Sequence, residues 1–185
     1  MYPEHFSSWV EVAGITERLE GTSRPGHFRG VTTVVAKLFN IVMPDAAYFG
    51  QKDAQQAAVI RRMTKDLNLP IEIVVCPIVR EPDGLAMSSR NTYLDPDERR
   101  AATVLHRALE AGRRAYAAGE RDADRLRQIL QTVLAEEPRA DVQYVSAADP
   151  NTLQELHGPV ESALLSLAVF IGKTRLIDNL VISDQ

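Results

Sequence analysis

The chain has 185 residues, 45% of them hydrophobic and 25% charged, and a formal net charge of −4. This composition suits a globular protein with a buried core, and the acidic balance argues against a nucleic-acid or anionic-membrane ligand. No apolar run nears the roughly 20 residues that span a bilayer, no leader pattern opens the chain, and the single Cys76 rules out an internal disulfide, so a soluble protein of the reducing cytoplasm is expected.

Residues 1–25 mix aromatic and polar types and predict an extended connection with a short strand near residues 9–12. Ser23-Arg-Pro-Gly26 reads as a turn. From His27, Val31, Val34, Val35, Leu38 and Val42 recur at helical spacing until Pro44 stops the helix. A strand is expected at residues 45–49. Asp53 opens a second helix with Val59, Ile60, Met63 and Leu67 facing inward, and Asn68 and Pro70 end it. Residues 71–79 form a nearly continuous apolar run rich in β-branched types, as in a strand buried on both faces, with Cys76 as a buried structural thiol. The order helix, strand, helix, strand predicts a parallel α/β sheet. Two strands are too few to cover such a sheet, so further chain or a second subunit is expected to complete it.

Beyond Arg90 the pattern changes. Asp95-Pro-Asp-Glu98 combines an N-cap, a proline at the first helical position and a glutamate at the third, and opens a helix reaching to near Gly119. Leu105, Ala108, Leu109, Gly112 and Tyr116 share its inner face. Asp122 caps another helix, with Leu126, Ile129, Leu130, Val133 and Leu134 inward. Strands are expected at residues 142–146, 163–171 and 175–182, the last two joined as a hairpin through Gly172-Lys-Thr174. The chain thus divides into an α/β part, residues 1–80, and a small α+β part with antiparallel strands, residues 81–185.

Two polar loops follow the two parallel strands. Gly50-Gln51-Lys52-Asp53 meets a helix start, where backbone N–H groups and the helix dipole favour an anion. Lys52 adds a full charge there, and Asp53 can cap the helix or hold a hydroxyl. The second loop, Gly84-Leu-Ala-Met-Ser-Ser-Arg90, places two hydroxyls and a guanidinium in succession, donors suited to phosphate oxygens. Together they point to a nucleotide at the carboxyl edge of a parallel sheet. His5, His106 and His157 lack metal-ligand spacing, so no protein-held metal is expected. Arg24 and His27 read as structural or hinge residues, and Asp178-Asn179 as turn or packing chemistry.

These residues resemble the pantothenate synthetase (pantoate–β-alanine ligase) family of the nucleotidylyltransferase superfamily. The resemblance rests on Leu19-Glu-Gly, Arg24-Pro-Gly-His-Phe-Arg-Gly-Val31, Pro44-Asp45, Phe49-Gly-Gln-Lys-Asp53, Gln55-Gln56, Asp83-Gly-Leu-Ala-Met-Ser-Ser-Arg-Asn91, Tyr93-Leu94 and Thr174-Arg-Leu-Ile-Asp-Asn179, in order along the chain. It implies a Rossmann-like nucleotide-binding domain, of which residues 1–80 are the second half, followed by a C-terminal lid domain. It implies a homodimer that joins pantoate to β-alanine through a pantoyl adenylate, consuming ATP with Mg²⁺. By the same resemblance Gly50, Gln51, Lys52 and Asp53 bind ATP, Val79 lines the adenine side, and Gln56 binds pantoate. Met87, Ser88, Ser89 and Arg90 belong to the loop that closes over the phosphates, with Lys52, Ser88, Ser89 and Arg90 as the catalytic group.

Two positions depart from the family pattern. Gln51 stands where glutamate is usual and Ala54 where an aromatic is usual. The family's glycine-flanked motif with two histidines has no counterpart here, so the chain is expected to correspond to the later part of the enzyme. Two other readings stay open: a catalytically silent nucleotide-binding or interaction module, and a relative acting on another acid and amine. The 185 residues alone are expected to give no pantoate-dependent exchange of labelled pyrophosphate into ATP above background. The loop at residues 84–91 is expected to be a moving clamp, poorly ordered when empty and ordered by nucleotide.

Overall fold

The computed structural model describes residues 1–184, in two compact units, the first Met1–Cys76 and the second beginning at Pro77. The division falls at the end of a strand, and Val79 and Arg80 fold with the second unit because their hydrogen bonds run to Met87, Gly84 and Asp178.

The first unit contains a short helix α1 (Glu20–Ser23), a long helix α2 (His27–Val42), a strand β1 (Ala46–Gly50), a helix α3 (Ala54–Asp66) and a strand β2 (Glu72–Cys76). β1 and β2 pair in parallel, with Ala46 opposite Glu72 and Gly50 opposite Cys76. The parallel α/β expectation holds, but β2 ends three residues early. Pro77 has no N–H to continue the ladder. Neither strand is buried on both faces: Tyr48 is exposed, and β2, Cys76 included, is only half-buried.

No strand forms near residues 9–12. That segment lies extended along α2, where Thr33 Oγ1 accepts the Val10 N–H at 3.0 Å and Thr32 Oγ1 donates to the Val10 carbonyl at 2.5 Å. The helix hydroxyls supply the bonds that a neighbouring strand would otherwise supply. This also turns α2 away from the expected face. Phe28, Thr32, Thr33, Ala36 and Phe39 point inward, Val31, Val34 and Val35 are half-buried, and Leu38, Ile41 and Val42 are exposed. In α3, Val59, Ile60 and Met63 are buried as expected, whereas Leu67 at the C-cap is 49% exposed.

The second unit comprises α4 (Pro96–Ala101), α5 (Val104–Ala117), α6 (Ala123–Ala135) and an antiparallel sheet of β3 (Ala140–Ala148), β4 (Ser162–Ile171) and β5 (Thr174–Ser183), in the order β3-β4-β5. Asp95 and Glu98 form the expected reciprocal capping box, and Asp122 caps α6 through the Asp124 and Arg125 N–H groups. The single helix expected from residue 95 to Gly119 is broken by a turn at Ala102 and Thr103. α5 and α6 bury Leu105, Leu109, Leu126, Leu130 and Leu134 against Leu165, Leu167 and Ile171 of the sheet, while Ile129 and Val133 are only half-buried. Gly112 lets the elements close, since a Cβ there would sit 2.5 Å from Leu130 Cδ1 and 2.9 Å from Leu165 Cδ1.

This core predicts that Leu130→Ala destabilises the second unit by about 2–5 kcal/mol. Denaturant unfolding followed through this unit checks it. A loss below about 1 kcal/mol would mean that α6 does not pack on the sheet as described.

Candidate functional site

In the first unit, β1 delivers Gly50 to a 3-10 turn, Gln51–Asp53, from which α3 departs. Asp53 occupies the N-cap position, yet its side chain makes no capping bond. Lys52 and Gln51 are half-buried and Asp53 is exposed. Gln56, one turn into α3, is half-buried. Gly50, Gln51, Lys52, Asp53 and Gln56 therefore share one end of the first unit, a cation and an uncapped helix start beside a carboxylate and an amide.

Gln55, for which the sequence reading had no separate role, is 5% exposed and fully engaged. Its Nε2 donates to the carbonyls of Ile15 and Arg18, both at 2.8 Å, and its Oε1 accepts the Glu20 N–H at 2.9 Å. One side chain thus fastens residues 15–20 to the first turn of α3. Leu19 within that segment adopts φ 45°, a conformation uncommon for leucine. Gly21 follows because nothing larger fits: a Cβ there would lie 1.8 Å from the Thr16 carbonyl oxygen. A glutamine beside another glutamine at a helix start was the available signal, but it does not tell which of the two turns inward.

Burial holds the His27 imidazole below its ordinary value of 6.5, and Arg24 adds to this, while Glu20 and Asp53 pull the other way. The folded state therefore favours the neutral ring. The stability of the first unit should be undiminished above pH 6.5 and should decline as the pH falls below it, through the depressed folded value. His27→Gln should flatten that decline. An NMR titration of His27 with a midpoint at or above 6.5 would contradict the assignment.

In the second unit, residues 79–87 fold back as a miniature hairpin. Met87 N–H donates to the Val79 carbonyl at 2.9 Å, Glu81 N–H to Leu85 at 2.8 Å, and Arg80 bridges Ala86. Val79 and Met87 thus stand opposite each other on one rung, 66% and 51% exposed, an apolar pair open to a planar ring. Ser88 caps a 3-10 turn, Ser89–Tyr93, its Oγ accepting the Arg90 N–H at 3.2 Å. Ser88 is half-buried, and Ser89 and Arg90 are exposed.

Within the loop expected to act as a clamp, residues 84–91, the first positions are packed. Leu85 and Ala86 are 2% and 3% exposed, and Asn91 Nδ2 donates to the Ala86 carbonyl at 3.1 Å. Gly84, at φ 90°, is a packing position and not a hinge: a Cβ there would lie 2.0 Å from His106 Cδ2. Asp83 receives a two-bond fork from Arg99, and that hydrogen bond holds its carboxyl below the usual range. Beyond Ala86 the side chains of Met87, Ser89 and Arg90 are exposed.

Arg80 and Asp178 were missed as a pair. Arg80 Nη1 and Nη2 reach the two Asp178 carboxylate oxygens at 2.6 and 3.0 Å, and Nη1 also donates to the Gly84 carbonyl at 3.0 Å. The Asp178 side chain is 1% exposed. The signal was present: Leu176, Asp178 and Leu180 alternate in β5, so a carboxylate stands on a buried register and requires a partner.

No group of three His, Cys, Asp or Glu side chains among the described residues is arranged to hold a metal, and no helix among them is long and apolar enough to cross a membrane. A family model for pantoate-beta-alanine ligase matches residues 1–181. Pantothenate synthetase from Roseiflexus sp. strain RS-1 is 64% identical over 182 residues, 98% of this chain and 66% of the relative. That of Heliobacterium modesticaldum is 60% identical, covering 98% of this chain and 65% of the relative. The crystal structure of pantothenate synthetase from Thermus thermophilus superposes with a TM-score of 0.95 at 45% identity, covering all of this chain and 67% of that one. A pantoate-beta-alanine ligase from Francisella tularensis, complexed with beta-gamma ATP and beta-alanine, gives 0.71 at 34% identity, covering 97% of this chain and 60% of that one. The chain thus spans about two thirds of the length of the relatives it matches.

Proposed function

This chain belongs to the pantoate–β-alanine ligase family, and we propose that it carries ATP- and pantoate-binding groups of an enzyme that condenses pantoate with β-alanine. In the first step a pantoate carboxylate oxygen attacks the α-phosphorus of ATP and the bond to pyrophosphate breaks. In the second, the β-alanine amine attacks the carbonyl carbon of pantoyl adenylate, AMP leaves, and pantothenate is released. Residues 1–80 act as part of the nucleotide-binding domain, and residues 81–185 as the C-terminal domain that bears the closing loop.

Gly50, Gln51, Lys52 and Asp53 contact ATP in this reading, Lys52 toward the phosphates and Asp53 toward the ribose. Gln56 holds pantoate by hydrogen bonds. Val79 lines the adenine side, and Met87, Ser88, Ser89 and Arg90 cover the phosphates. Negative charge grows on the departing pyrophosphate, so cations and donors aimed there act most in the transition state. The carrying observation is the placement of Lys52 and Asp53 where β1 ends and α3 begins, in a chain whose family match runs through both polar loops.

Mg²⁺ enters in this reading as a companion of the ATP phosphates, the usual setting for this ion. The protein works in the cytoplasm, in keeping with its one free thiol. Its assembly as a homodimer rests on the family resemblance alone.

The test uses the chain joined to the remaining third that its relatives carry. Lys52→Ala should lower the rate of pantoate-dependent pyrophosphate exchange by on the order of 10²–10³, the loss typical of a strong oxyanion donor, and Ser88→Ala and Ser89→Ala by less. Unchanged exchange in Lys52→Ala would reduce Lys52 to a charge at a helix start. ATP bound by the parent without any exchange would favour the silent-module reading.

A further inference from the structure

The proposed chemistry leaves the buried carboxylate of Asp178 unused. Asp178 stands on the helix-facing side of β5 between Leu176 and Leu180, opposite Leu167 of β4, and its side chain is 1% exposed. Its only ion-pair partner among the described residues is Arg80, which follows the exposed Val79 at the root of the polar loop. We propose that Arg80 and Asp178 are positioning residues that fix the register of the loop presenting residues 87–90 to the phosphates. This inference rests on the function proposed above.

Stability does not explain the pair. Removing two charges from water offsets most of their attraction, and apolar residues of similar volume commonly replace a buried ion pair without loss. What an apolar pair could not do is hold the Gly84 carbonyl. Arg80 Nη1 bonds that carbonyl at 3.0 Å while the same guanidinium grips both Asp178 oxygens at 2.6 and 3.0 Å. A planar fork can serve both acceptors at once; a lysine ammonium, a point charge on a flexible stem, cannot reproduce that geometry. Asp178 Oδ1 also accepts the Asn179 N–H at 2.8 Å, which fixes the carboxylate on the β5 backbone.

The consequence runs along the chain. Gly84 held by Arg80 sets Leu85 and Ala86 into their buried sites, and the Met87 N–H then meets the Val79 carbonyl. A slip of one residue in this miniature hairpin would move every following side chain to the opposite face. Ser88, Ser89 and Arg90 would then no longer present their donors in the same direction. The Asp83–Arg99 fork and the His106 ring against Gly84 hold the hairpin tip, and the Arg80 fork is the tie to the sheet.

Two variants separate positioning from support, again in the chain joined to the third that its relatives carry. Arg80→Met with Asp178→Asn removes both charges together and keeps an acceptor for the Asn179 N–H. Arg80→Lys keeps the charge and loses the fork. Both should unfold near the parent midpoint, exchange the amides of residues 84–87 at least tenfold faster without ligand, and lose roughly 10- to 100-fold in kcat, the scale of a small misplacement of a reacting group. The KM for ATP should shift by much less. Parent-like exchange at residues 84–87 in a variant that folds would overturn the proposal, as would parent-like kcat. A parent with no turnover would sink the ligase reading alone, because the ligand-free exchange still decides the positioning role.

Discussion

A carboxylate placed on the apolar face of a sheet must find a cation, and in this chain that requirement organises the second unit around Asp178. Its partner, Arg80, comes from the segment that enters the unit, so satisfying one buried charge also places the start of the polar loop. The helices α5 and α6 cover the sheet with apolar side chains, five of them leucines, and need no directional bond to do so. The loop gains a directional bond as well, because the hydrophobic burial of Leu85 and Ala86 is non-directional and does not aim the donors that follow. The loop is thus rigid at its root and open at its tip, the arrangement expected where donors must be aimed at a ligand that arrives from solvent.

The first unit solves a similar problem with neutral groups. Its irregular opening segments do not join the two-stranded β1–β2 ladder, and side chains bond part of their backbone instead. Thr32 and Thr33 hold the residue 10 backbone against α2, and Gln55 holds residues 15–20 against α3. Each of these side chains is buried, where an unmade bond would leave the partner costly to desolvate. The polar turn Gln51–Asp53 therefore begins from a helix whose first residues are already fastened on one side.

Much of this was legible in the residues because capping and periodicity are local. The Asp95 box, the Asp122 cap, the inner faces of α5 and α6 and the Gly172 hairpin depend on neighbours within a few positions. The errors arose where a distant partner decided the outcome. The valines and leucines of α2 share a face by spacing, but two threonines bonded to residue 10 turn that face outward. Leu67 falls on the inner stripe of α3 by spacing and escapes burial because it is the C-cap. The break at Ala102 and Thr103 carries no proline or glycine to announce it. Around the site, Lys52, Asp53 and the Ser88-Ser89-Arg90 run could be singled out from their chemistry. Gln55 and Arg80 could not, since they act through partners 35–40 and 98 positions away along the chain, and Asp178 was legible only as a carboxylate on a buried register, without its partner.

An anchored root with a responsive tip makes one direct demand on hydrogen exchange. The measurement is amide exchange with and without ATP and Mg²⁺, in the chain joined to the third that its relatives carry. The account predicts added protection at residues 50–53 and 87–90 when nucleotide is present, and none at Leu85 and Ala86, which are buried without it. Protection that rises equally across residues 84–90 would show that the root moves with the tip, and no change at residues 87–90 would show that this loop does not meet the nucleotide.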